Sequence, residues 1–213
     1  GGYVAAIRAS QLGMKVAVVE KQPPLGGTCL IWGCIPTKAL LEHAHAFQMF
    51  QHASDWGVAL PYGAPALDMR LVHARKDKIV TGLTKGIEFL FKKHKIDRIK
   101  GTARLAGEGR VEVFEGETQT LTARDIIVAT GSSPREVPGI QIDHARIVTS
   151  DDAIHLTEVP RSLVVLGAGA VGVEFASIYR RFGSAVTIVE LLPRLVPGED
   201  EAVSVELEKS FKK

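Results

Sequence analysis

Cysteine is nearly absent: the 213 residues carry two, Cys29 and Cys34. That scarcity excludes a disulfide-stapled secreted scaffold. It also argues against structural zinc, which needs four Cys or His ligands where no second cysteine pair exists. The histidines, His43, His45, His52, His73, His94, His144 and His155, form no ligand spacing, so no metal is expected and they read as surface or core-edge residues. No apolar run approaches a membrane span, and no signal peptide is visible. Neither sign of charge dominates, since 26 Lys+Arg stand against 24 Asp+Glu. The densest basic run, Lys92-Lys93-His94-Lys95, reads as a solvated helix end and not as a nucleic-acid patch. These absences place the chain in a reducing compartment, the cytoplasm, with neither membrane nor nucleic acid as partner. An initiating methionine is missing too: the chain opens on Gly1-Gly2 and closes inside a helical pattern at Lys213, so both ends read as cut.

What remains is ordinary globular composition, 46% hydrophobic and 23% charged, enough for one large or two modest domains. Within it, the segment GGTCLIWGCIPTKALL, residues 26 to 41, holds both cysteines. A disulfide closing so short a loop removes little chain entropy and would be a poor staple. In a regular helix, residues i and i+5 lie about 8.6 Å apart at Cα, beyond disulfide reach, so a bond between them needs a distorted turn. Gly26, Gly27 and Gly33 supply the backbone freedom for one. Pro36 suits the first turn of a helix through Thr37, Lys38, Ala39, Leu40 and Leu41, which places Cys34 near a helix N-terminus that favours a thiolate. The spacing leaves two readings open, a redox-active pair or two buried thiols packing as small hydrophobes.

An internal repeat carries more information. Residues 2 to 20 and 172 to 190 align without a gap at Gly2/Gly172, Ala6/Ala176, Gly13/Gly183, Val16/Val186, Val19/Val189 and Glu20/Glu190. Each copy reads as a glycine opening an amphipathic helix, a glycine ending it, a buried strand and a terminal glutamate. Ahead of the second copy, the strand Ser162 to Leu166 runs into Gly167-Ala168-Gly169-Ala170-Val171-Gly172, a full G-x-G-x-x-G. That order is a dinucleotide-binding unit: the glycines admit a pyrophosphate to the backbone, the helix N-terminus faces its charge, and Glu190 bonds the ribose hydroxyls. Glu190 favours NAD over NADP, whose 2′-phosphate a carboxylate repels, although Arg194 lies close in sequence. The first copy lacks its opening strand and first glycines, so Gly2 stands as the third glycine. Two units imply two dinucleotides, and the adjacent cysteine pair points to FAD as one and NAD as the other.

These residues resemble the pyridine nucleotide-disulfide oxidoreductases, and within them the dihydrolipoamide dehydrogenase branch. The resemblance spans the chain, from GGYVAAIRASQLG through GGTCLIWGCIPTKALL and IIVATGSSPREVPGI to GAGAVGVEFASIYRRFGSAVTIVELLPRLVP. Ile31 departs from it, standing where the family usually carries asparagine, a change read as touching local packing or flavin contacts. The resemblance implies an α/β fold of two Rossmann-like dinucleotide-binding domains, FAD then NAD, each with a parallel sheet, helices and a small antiparallel meander, both incomplete. Residues 1–150 would be the FAD-binding domain and 151–213 the N-terminal part of the NAD-binding domain. It makes Cys29 the interchange thiol and Cys34 the thiol against the flavin. Lys38 becomes the lysine beside the flavin ring and Glu174 its ion-pair partner, all four counted as catalytic. Gly2, Glu20, Thr130 and Gly131 would hold FAD together with Lys38, and Gly167, Gly169, Gly172 and Glu190 would hold NAD.

Between the motifs, residues 67 to 94 read as one long helix with Val80, Leu83, Ile87, Leu90 and Phe91 at core spacing, and residues 96 to 117 as an antiparallel meander. Ile126 to Ser132 reads as an apolar strand ending in a small-residue turn. Pro134, Pro138, Gly139 and Asp151-Asp152 mark a crossover between domains near 135 to 160. The resemblance further implies a longer, homodimeric parent that oxidises dihydrolipoamide on the lipoyl domains of 2-oxo acid dehydrogenase complexes or the glycine cleavage system. The acid-base His-Glu pair of such enzymes lies outside these residues, so the fragment alone is expected to be inactive. Rival readings are another FAD/NAD(P) disulfide reductase, of the glutathione or mercuric type, and a non-catalytic dinucleotide-binding module.

Overall fold

The computed structural model describes residues 1–212. In chain order the elements are α1 (Gly2–Gln11), β1 (Ala17–Glu20), α2 (Gly27–Ile31), α3 (Cys34–Gln51), a 3₁₀ turn (Ala53–Trp56), α4 (Met69–Lys93), β2 (Asp97–Lys100), β3 (Thr102–Leu105), β4 (Arg110–Glu115), β5 (Glu117–Thr122), α5 (Ser150–Ala153), β6 (Ser162–Leu166), α6 (Ala170–Phe182), β7 (Ala185–Val189) and α7 (Glu201–Phe211). They form two compact units, Gly1–Ile31 with Ile79–Ser133, and Trp32–Lys78 with Pro134–Lys213.

In the first unit β1 and β2 pair in parallel, Ala17 opposite Asp97 through Glu20 opposite Lys100. A parallel partner must arrive through a crossover, and the intervening helices supply it. The antiparallel meander is β3–β4–β5. The expected meander over 96 to 117 is therefore displaced: its first strand joins β1 instead, and the three antiparallel strands occupy 102 to 122. Gly101 makes the change of direction with φ +140, where a Cβ would meet the Val113 side chain at 2.6 Å. A second correction concerns residues 126 to 130, which form no strand. Ile127 and Val128 are exposed there, and among the described residues no neighbouring strand offers a ladder to satisfy their backbone. The long helix is present, but Leu83 is exposed and Thr84, Ile87 and Phe91 take the buried face.

In the second unit β6 and β7 pair in parallel from Ser162 opposite Ala185 to Leu166 opposite Val189. Its core joins Leu40 and Ala44 of α3, Met69 and Val72 of α4, Ala153 and Ile154, and Phe175, Ile178, Tyr179 and Phe182 of α6. The Tyr179 hydroxyl donates to the Ala153 carbonyl at 2.5 Å, and burial pushes its ionisation well above the ordinary value. Because α6 buries Phe175, Ile178, Tyr179 and Phe182 on one stripe, it lies along α3 with its register fixed, and that register positions the side chains described next.

Candidate active site

The two cysteines are joined in a disulfide. The distortion it needs lies at Trp32-Gly33: α2 stops at Ile31 and α3 restarts at Cys34. The left-handed backbone falls at Gly26 (φ +151) and Gly27 (φ +70), whereas Gly33 caps α3 with φ −123. Thr37 closes the restart, donating both its N–H, at 3.1 Å, and its Oγ1, at 2.6 Å, to the Gly33 carbonyl. Both cysteines are exposed, which removes the reading of two buried hydrophobes. Cys34 is the first residue of α3, so when the disulfide opens its sulfur sits in the positive end of the helix dipole.

Lys38 lies one turn further on the same face of α3. Its Nζ donates to Glu174 Oε1 of α6 at 2.5 Å, so two residues 136 positions apart meet because Leu40 and Ala44 pack against Phe175 and Ile178. Both ends of this pair keep contact with solvent.

The glycine turn divides the labour among its three glycines. Gly167 turns the chain with φ +100, Gly169 faces open space where a Cβ would touch nothing, and a Cβ on Gly172 would collide with the Gly167 carbonyl oxygen at 2.0 Å. Tight turn, open approach and close packing are what a pyrophosphate at a helix N-terminus requires, so the residues fit a dinucleotide. Glu190, at the end of β7, accepts the Ala168 N–H at 2.7 Å on Oε2 and the Leu192 N–H at 2.9 Å on Oε1. Those amide bonds, Ala168 first, hold its carboxyl below the ordinary carboxylate range.

The first repeat is sparer. Among the described residues, Glu20 at the end of β1 accepts just the Gln22 N–H, at 2.9 Å. Gly2 opens α1 where a Cβ would come within 3.3 Å of the Ala129 Cβ, which brings the Ala129-Thr130-Gly131 segment to the helix N-terminus. Gly131, with φ +80, faces the Thr28 hydroxyl, and Thr28 Oγ1 donates to the Ser132 carbonyl at 3.4 Å. Thr28 was not among the residues expected from sequence, although its place beside Cys29 was the available signal. Among the described residues no group of His, Cys, Asp and Glu could hold a metal, and no helix is long and apolar enough to cross a membrane.

The chain as a whole resembles known proteins. Residues 1–213 match the family Pyridine nucleotide-disulphide oxidoreductase, and the chain belongs to that family. It is 50% identical over 216 residues to dihydrolipoyl dehydrogenase 3 of Pseudomonas aeruginosa, covering 99% of this chain and 45% of that protein. It is also 44% identical to leghemoglobin reductase of Vigna unguiculata, covering 100% of this chain and 41% of the relative. Among solved structures, LpdA of Mycobacterium tuberculosis superposes with a TM-score of 0.85 at 25% identity, covering 99% of this chain and 46% of that one. The chain therefore spans less than half the length of the relatives it matches.

Proposed function

We propose that this chain is the disulfide- and nucleotide-binding part of a flavin-dependent dihydrolipoyl dehydrogenase that passes electrons from protein-bound dihydrolipoamide to NAD+. The observation that carries the reading is the exposed disulfide at the N-terminus of α3, one helical turn from a lysine held by the carboxylate of α6. Residues 1–150 form the FAD-binding domain and residues 151–213 begin the NAD-binding domain. The partners are lipoyl domains, the parent is a homodimer, and the compartment is the cytoplasm.

Cys29 is the interchange thiol. A substrate thiolate attacks its sulfur, forming a mixed disulfide as the Cys29–Cys34 bond breaks, and Cys34 leaves as a thiolate steadied by the helix dipole. The second substrate thiol, losing its proton, attacks the mixed disulfide and releases Cys29, so the substrate leaves as a cyclic disulfide and the cysteine pair keeps its two electrons. FAD, when bound, supplies the path by which those electrons reach NAD+ as hydride. Lys38 holds positive charge beside that path, and Glu174 keeps its ammonium oriented. Gly2, Glu20, Thr130 and Gly131 hold FAD. Gly167, Gly169 and Gly172 admit the NAD pyrophosphate, and Glu190 accepts the ribose hydroxyls.

The test is a substrate panel on the full-length flavoprotein. Dihydrolipoamide should be the efficient dithiol, and Cys29→Ser should lower kcat by about 10³-fold or more with flavin content unchanged. Efficient turnover of glutathione-type or mercuric substrates without dihydrolipoamide activity would assign a different disulfide reductase. No dithiol turnover and no flavin-linked reactivity of Cys29 in the full-length protein would leave only a nucleotide-binding module.

A further inference from the structure

Beyond the glycine turn, the loop from Arg194 to Asp200 is tied back onto it. The Val196 N–H donates to the Ala168 carbonyl at 2.7 Å, while the Ala168 N–H donates to Glu190 at 2.7 Å. The peptide groups flanking Ala168, the middle of the glycine turn, are thus gripped from both sides. Val196 adopts φ +41, a left-handed backbone that a β-branched residue takes only when its surroundings enforce it. Two groups do so. Its side chain is buried with Ala168 and Val173, against Leu195, Ile188 and Leu207. The Arg194 guanidinium closes the loop by donating from Nη2 to the Pro197 carbonyl at 3.2 Å and the Glu199 carbonyl at 3.1 Å, with Glu201 3.9 Å from Nη1.

We propose that Arg194 is a positioning and specificity residue of the NAD site: it holds the 194–200 loop in the conformation that fixes the Ala168 peptides, and is thereby withheld from a ribose 2′-phosphate. The inference rests on the nucleotide reading of Gly167 to Glu190. An arginine four residues past the ribose-binding acid would otherwise be a ready phosphate ligand, because a guanidinium matches phosphate geometry in a bidentate pair. Here its donors face backbone carbonyls of its own loop. Specificity for NAD then has two sources, the Glu190 carboxylate and the occupied arginine.

Isothermal titration of the full-length flavoprotein with ADP-ribose and with its 2′-phosphorylated analogue tests this without turnover. Arg194→Ala should weaken ADP-ribose by about tenfold through a loosened loop, and Arg194→Lys, which keeps the charge but not the fork, should behave alike. Glu190→Ser should leave the 2′-phosphorylated ligand weak, and adding Arg194→Ala to it should weaken both ligands by the same factor. Unchanged ADP-ribose affinity in Arg194→Ala would overturn the positioning role. Tight 2′-phosphate binding in Glu190→Ser that Arg194→Ala abolishes would overturn the specificity role. Absence of ADP-ribose binding in the unaltered protein would instead remove the nucleotide site itself, and the proposal with it.

Discussion

Leu12 and Phe182 hold the same place in the two repeats, the last apolar residue before the glycine that follows the helix, yet Leu12 is 59% exposed and Phe182 6%. Helix α6 buries six residues and α1 only Ala6. The acids differ likewise. Glu190 is fixed by an amide of the glycine turn, whereas Glu20 accepts the N–H two residues on. A shared sequence pattern therefore sets local structure in both copies, while the partners of each acid come from the segments packed beside it. If Glu190 accepts a ribose as proposed, the pre-organisation of its carboxylate lowers what ordering costs at binding.

The largest contrast should come from the glycines. Gly172→Ala forces a Cβ to within 2.0 Å of the Gly167 carbonyl oxygen. It should cost about 4 kcal/mol or more in chemical denaturation, where Gly2→Ala, meeting only the Ala129 Cβ, should cost about 1 kcal/mol or less. Next come the matched apolar residues: Phe182→Ala should cost about 3–4 kcal/mol through the cavity it leaves, and Leu12→Ala less than about 1 kcal/mol. Equal costs at either pair would mean that the two helices are supported alike.

Glu190→Gln keeps an acceptor for the Ala168 amide and loses the charge, so NADH affinity of the full-length protein should fall by about tenfold, measured by titration. The pH dependence follows from the same bonds. The folded carboxyl sits below the ordinary value of 4.5, so the ionised Glu190 contribution is complete above that value and fades as pH falls through the lower folded value. An NADH affinity that already declines between pH 7 and 5 in the wild type but not in Glu190→Gln would contradict it. The smallest effect on stability belongs to Lys38→Met, because its pair with Glu174 is 56% and 25% exposed. It should change unfolding free energy by about 0.5 kcal/mol or less while slowing reduction of the bound flavin in stopped-flow absorbance.

The turns and the helix start around the candidate site were legible in the linear sequence because their signals are local. The G-x-G-x-x-G order, Pro36 in the first turn of α3 and the glycines around the cysteines act within a few residues of themselves. Ile126 to Thr130 has strand composition and forms none, since a strand exists only with a partner and partners are distant in sequence. Lys76 was equally hidden. It is 1% exposed, with its ammonium on the Ile154 carbonyl at 2.9 Å and 3.1 Å from His155 Nδ1. Burial first, then that ammonium, pushes His155 below its ordinary value, a pairing set by how α4 meets the residues after α5. The Arg194 loop escaped notice because its grip on Ala168 runs through backbone groups, which composition does not reveal.

The proposed function stands or falls on Cys29–Cys34 carrying the electrons. Its most direct test is anaerobic addition of one equivalent of NADH, and separately of dihydrolipoamide, to the full-length flavoprotein, followed by alkylation and mass mapping of residues 26–41. Cys29 and Cys34 should become alkylated in both reactions. NADH consumed and flavin reduced with both cysteines still unlabelled would contradict it.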